Sequence, residues 1–108
     1  MLFVLFIYFR EVYMKTNVTF RHLNGHHPNL HEAAMDASSR FQKFHDGIIS
    51  TSVDFINEAE KIVQFTVHIQ GHTLVIKESS DEFGKSLAVA EDRMVRQLKK
   101  AKDKAMSH

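Results

Sequence analysis

The sequence predicts an α+β domain of order β-α-β-β-β-α, with two helices packed on one face of a four-stranded sheet. Three observations carry this expectation. Four runs alternate apolar with polar residues, the period of half-buried strands. Two longer segments repeat apolar residues every three or four positions, the spacing of one helix face. The breaks between them hold Gly, Pro or acidic pairs at hairpin or helix-stop spacing. With 108 residues, 44% of them apolar and 25% charged, the chain has material for one core and no more.

The first strand lies in "KTNVTFRHLN", from Lys15 to Asn24, where Val18 and Phe20 oppose Asn17, Thr19 and Arg21. "NGHHP" ends it: Gly25 permits a turn and Pro28 suits the first turn of a helix. That helix follows, with Leu30, Ala33, Ala34, Ala37, Phe41 and Phe44 along one face and Asp46-Gly47 as its stop signal. Three more strands come next. "IISTSVDFI" places Ile49, Val53 and Phe55 on one face with Thr51 among them. "KIVQFTVHIQ" places Val63, Phe65, Val67 and Ile69 there, and "HTLVIKE" places Leu74 and Ile76. Their short connections predict an antiparallel meander with one apolar face needing cover. The last helix supplies part of it. Ser79 is expected as N-cap with Glu82 as capping-box partner, ahead of a stripe through Phe83, Leu87, Ala90, Met94, Leu98 and Ala101.

The opening "MLFVLFIYFREVY" differs in kind. Its apolar run is less than half the roughly 20 residues a spanning helix needs, and it lacks the basic start and cleavage site of a secretory signal. Residues 1–13 are read as an apolar leader upstream of a natural start at Met14, and 14–108 as the single domain. The alternative is an extra strand, or an apolar handle that packs on a second copy. No cationic face accompanies the run as a membrane-surface anchor would require.

Charge is the feature that asks for explanation. The net charge is +1, yet from Asp81 to Asp92 there are four acids and one base, and from Arg93 to Lys104 six bases and one acid. At 100° per residue, Arg93, Arg96, Lys100 and Lys104 fall on one flank of the helix and Lys99 and Lys102 on the other, with Lys85 opposite the core. Bases near a helix end complement the macrodipole, and on charge alone that is the commoner reason for such a run. The functional alternative is a polyanion-binding rod that tracks a phosphate backbone.

Chemistry beyond binding finds no candidates. There is no cysteine, no glycine-rich phosphate loop, no G-x-S-x-G and no H-E-x-x-H, so no catalytic residue, cofactor or small-molecule substrate is expected. His27 and His31 share i, i+4 spacing, but two ligands do not make a zinc site, and no metal site is expected. His68 and His72 flank a hairpin as exposed polar positions.

Met14 to the end resembles the short ribosome hibernation promoting factors, the family also called ribosome-associated inhibitors, sigma-54 modulation proteins and ribosomal subunit interface proteins. The segment that carries the likeness is "ESSDEFGKSLAVAEDRMVRQLKKAKDK". Family members have there an Asp-x-aromatic opening, here Asp81 and Phe83, and a helix ending like Arg96-Gln97-Leu98, Lys100 and Lys102-Asp103-Lys104. "MKTNVTFRHLN" is similar to the family's first strand, and the β-α-β-β-β-α order is the family's fold.

The resemblance implies a cytoplasmic, non-enzymatic protein, monomeric when free, with the small ribosomal subunit and its rRNA as partners and no membrane. Members lie near the decoding region in the channel for mRNA and tRNA, inhibit translation and promote hibernation under stress or in stationary phase. Carried over by position, the rRNA contacts are Arg93, Arg96, Lys99, Lys100, Lys102 and Lys104, with Lys85 on the same helix and Arg40 and Lys43 on or near the first. The stop soon after the last helix resembles the short type that assists ribosome pairing. Departures are concentrated on the first helix: Ala37 and His31 stand where members often have Lys or Arg, and Glu32 and Asp36 add negative charge. Phe83 replaces a tyrosine, and Gly84-Lys85 replaces small apolar residues. His31 and its neighbours would gain charge as pH falls, which would make binding pH-sensitive. The other readings are a structured-RNA binder without ribosome specificity and a self-associating module built on the leader and a sheet edge.

Overall fold

The computed structural model describes residues 15–106, with side chains described through residue 104. The leader and Met14 lie outside the described residues. Six elements follow in order: β1 (Lys15–Arg21), α1 (Pro28–Phe41), β2 (Ile48–Asn57), β3 (Lys61–Ile69), β4 (His72–Ser80) and α2 (Phe83–Met106). They form one four-stranded sheet of order β1-β2-β3-β4 with both helices on one face, the α+β arrangement expected.

β2, β3 and β4 make the antiparallel meander, with the Ile69–His72 connection turning through Gly71 at φ +83°. β1 pairs parallel to β2, in register from Lys15↔Ser50 to Arg21↔Ile56. A parallel neighbour needs a long crossover, and α1 is that crossover. α1 thus packs over β1 and beside α2, while α2 lies across β3 and β4. Between the layers sit Val53, Phe55, Val63, Phe65 and Val67, all fully buried, facing Ala34, Ala37 and Phe41 of α1 and Ala90, Met94 and Leu98 of α2. Aromatic contacts tie the layers: Phe41 meets Phe65 edge-on at 5.1 Å, and Phe83 meets Phe55 edge-on at 5.6 Å.

Three local expectations are corrected. Ile49 does not join Val53 and Phe55. A register shift between Ile48 and Ser50 inserts an extra residue, so Ile48 turns inward and Ile49 is 60% exposed. Strict alternation cannot show such a bulge. Ser79 is not the N-cap, because β4 continues through Ser80. The Ser80 hydroxyl instead accepts the Glu82 N–H at 3.2 Å, and Ser86 Oγ donates to the Lys61 carbonyl at 2.6 Å, tying the start of α2 to β3. Finally, α1 ends at Phe41. Bonds from Lys43 N–H to Arg40 O and from Phe44 N–H to Phe41 O, each 3.0 Å, tighten its last turn and carry Phe44 outside the helix.

Thr51 sits in the core with no partner for its hydroxyl among the described residues. A buried, unpaired polar group costs about 1–3 kcal/mol. Thr51→Val keeps the shape and removes that cost, so urea unfolding should show the variant more stable by about 1 kcal/mol. A loss of stability would mean that the hydroxyl is satisfied.

Candidate nucleic-acid interface

The rotation of α2 is set by its buried stripe. Leu87, Ala90, Met94 and Leu98 face the sheet, so the intervening cations are held to the flanks and the outer side. The nine expected contact residues divide by what each side chain meets.

Four are ion-paired within the chain. Arg40 grips Glu91 of α2 with two hydrogen bonds, Nε to Oε2 at 2.5 Å and Nη2 to Oε1 at 2.8 Å. That hydrogen-bonded contact raises the guanidinium pKa above its ordinary value, against a smaller opposing effect of burial. Arg93 reaches across to Glu78 of β4. Arg96 pairs with Asp92 one turn back on α2 at 3.0 Å, and Lys85 with Asp81, just ahead of the helix, at 3.2 Å, both pairs being exposed. Arg40 and Arg93 therefore act first as clamps, one joining the two helices and the other joining α2 to the sheet edge.

The lysines differ. Lys99 lies over the Phe44 ring, 5.1 Å from its centroid, a cation–π contact that leaves its charge uncancelled. It also places the C-terminal half of α2 beside the turn that carries Lys43. Lys43, Lys100 and Lys102 make no ion pair with a described carboxylate. Lys104 lies one turn beyond Lys100, and the two line one groove beside the β3–β4 turn. The charge of Lys99, Lys100 and Lys102, with no described carboxylate paired to it, is thus gathered at the far end of the helix layer.

The first helix reads differently in three dimensions. Ala37, counted among lost basic positions, is fully buried in the core. His31, Glu32, Asp36 and Arg40 are exposed. His27 packs its ring 5.6 Å from Phe20, and its Nε2 lies 2.8 Å from the Asn24 carbonyl, so that nitrogen carries a proton and is no metal ligand in this arrangement. Among the described residues no group of three His, Cys, Asp or Glu side chains is placed to hold a metal ion. No described helix is long and apolar enough to cross a membrane.

The sequence model of the Sigma 54 modulation protein / S30EA ribosomal protein family matches residues 16–106, every described residue but the first. The chain belongs to that family. Solved structures share the fold. A ribosomal subunit interface protein from Coxiella burnetii superposes with a TM-score of 0.70 at 23% identity, over 83% of this chain and 99% of that one. The N-terminal domain of Thermus thermophilus Protein Y gives 0.69 at 17% identity, over 78% of this chain and 93% of the other. No match was found among curated protein sequences.

The clamp between the helices is testable alone. Arg40 is half-exposed and Glu91 less so, which places their pair near the surface. A double-mutant cycle of Arg40→Gln and Glu91→Gln should give a coupling of at most about 1 kcal/mol, smaller at high salt. A larger, salt-independent coupling would show a desolvated pair.

Proposed function

We propose that this chain binds the small ribosomal subunit near the decoding region, through the C-terminal half of α2 and the turn after α1. Bound there, it excludes mRNA and tRNA, inhibits translation and holds ribosomes in hibernation under stress. The observation that carries this reading is the cluster of Lys43, Lys99, Lys100 and Lys102 at one end of the helix layer, paired with no described carboxylate, in a member of a family described as ribosomal. The name of one structural neighbour, a ribosomal subunit interface protein, agrees with a ribosomal partner, and the likeness of both at these identities speaks for the fold alone.

The chemistry suits an occluding role. Lysines meeting phosphates release counterions and give affinity without reading sequence, while folded RNA is recognised largely by shape. Both helices are fixed on the sheet, so little ordering opposes binding. The protein acts by occupancy, in the cytoplasm, with no cofactor and no reaction. Arg93, Arg96, Lys85 and Arg40 contribute at close range only by exchanging their own carboxylates for phosphates, which makes them secondary to the lysines. Lys104 extends the lysine face.

Co-sedimentation with purified small subunits across a salt series tests this. The parent should pellet at low salt. Neutralising Lys99, Lys100 and Lys102 to Gln should sharply weaken pelleting at low salt and flatten the dependence of log affinity on log salt by about 2–3, since each phosphate contact contributes about 0.7–0.9. Arg93→Gln with Arg96→Gln should cost less. Equal binding of the parent to an unrelated structured RNA would replace the ribosomal reading with a general RNA-binding one, and no binding at low salt would end both.

A further inference from the structure

A groove of ≈ 610 Å³ opens where the C-terminal end of α2 passes the β3–β4 turn and the loop before β2. Its floor is apolar, formed by Ile69, Leu74 and Ala101. Its rim carries Lys100 and Lys104 from α2, His72 from the start of β4, and His45 from the loop. Gln70 and Gln97 complete the polar edge, and among the described residues no carboxylate lines it.

His45 is held in place. The Gly47 N–H donates to its Nδ1 at 2.9 Å, so in the neutral ring Nε2 bears the proton and is a donor. The ring occupies the space a side chain at Gly47 would need: an added Cβ would stand 3.0 Å from the His45 ring. The absence of a side chain at 47 thus leaves room for this imidazole at the groove.

We propose that the groove receives one unpaired nucleotide of the bound RNA, its base on the apolar floor and its phosphate at Lys100. Charge complementarity selects the occupant: Lys100 carries a charge with no described carboxylate paired to it, and the rings of His45 and His72 add N–H donors, around an apolar floor that suits a flat apolar group attached to an anionic one. The two glutamine amides offer donors and acceptors to a base edge. Backbone contacts alone would need the lysines but not the floor. The inference rests on the RNA-binding reading above and adds to it a pocket that engages a base, where shape and phosphate contacts would otherwise act alone.

The test uses the full-length chain, labelled with ¹⁵N, and adenosine 5′-monophosphate as probe, with ribose 5-phosphate as control. The nucleotide should shift the amides of Gln70, Gly71, His72 and Gly47 and saturate. Ribose 5-phosphate should bind at least about fivefold more weakly, the lower end of what stacking a base contributes. Gln70→Glu with His72→Glu puts two carboxylates at the groove from the exposed hairpin and leaves every α2 cation in place. It should abolish the nucleotide shifts and weaken subunit co-sedimentation roughly tenfold, with an unchanged circular dichroism spectrum. Equal binding of ribose 5-phosphate, or shifts that map elsewhere, overturns the base pocket. If the double variant keeps the parent's affinity for subunits while the lysine variant loses it, the groove inference falls and the ribosomal reading stands. If the nucleotide fills the groove but the parent ignores subunits, the groove stands as a nucleotide site and the ribosomal reading falls.

Discussion

The burial of one stripe of α2 against the apolar face of the sheet is the constraint on which the rest of the molecule depends. Met94 and Leu98 are wholly buried there, and Leu87 and Ala90 complete the row. Burying a side chain of Met or Leu size stabilises by about 1.5–3 kcal/mol, so rotating α2 away from this contact would forfeit several such terms. A helix fixed in rotation has fixed flanks. The positions of Arg93, Arg96, Lys99, Lys100 and Lys102 are therefore consequences of core packing, before any partner is considered.

Within that frame, each cation's role is set by what else the fold brings near it. β4 delivers Glu78 to Arg93, and α2's own Glu91 meets Arg40 from α1. These pairs link element to element. Farther along, α2 runs past the acidic residues of its first half, and Lys99 meets an aromatic ring in place of a carboxylate. The macrodipole favours bases at that end, which explains why the helix tolerates such density. Dipole matching and phosphate binding are thus compatible: the first makes the lysine cluster cheap to build, and the second is the use proposed for it.

Much of the fold was legible in the sequence because each element obeys a simple period. The α2 stripe from Leu87 to Leu98 and the inward residues of β3 lie where spacing places them. What escaped depends on contacts between distant segments. The bulge at Ile48–Ser50 arises from pairing with β3, so no property of "IIS" alone announces it. The end of β4 and the Ser80 cap depend on where Ser86 can reach Lys61. The parallel pairing of β1 is a matter of topology. For the site, the nine cations could be named from the chain and from family resemblance. Their division was legible only in part: the pairs Arg96–Asp92 and Lys85–Asp81 follow from i, i+4 spacing, while the Arg40 and Arg93 clamps turn on Glu91 and Glu78 arriving from elsewhere. The groove beside Lys100 was equally hidden, being assembled from three separated segments.

The central claim is that the helix layer near the end of α2, and not the uncovered sheet face, meets the ribosome. The chain has no cysteine, so a single one can carry a tethered hydroxyl-radical source. Placed at Asp103, on α2, or at Val75, 53% exposed on the open face of β4, it reports which side approaches RNA. The account expects strong cleavage of small-subunit rRNA around the decoding region from Asp103→Cys and weak cleavage from Val75→Cys. Strong cutting from Val75→Cys alone would contradict it.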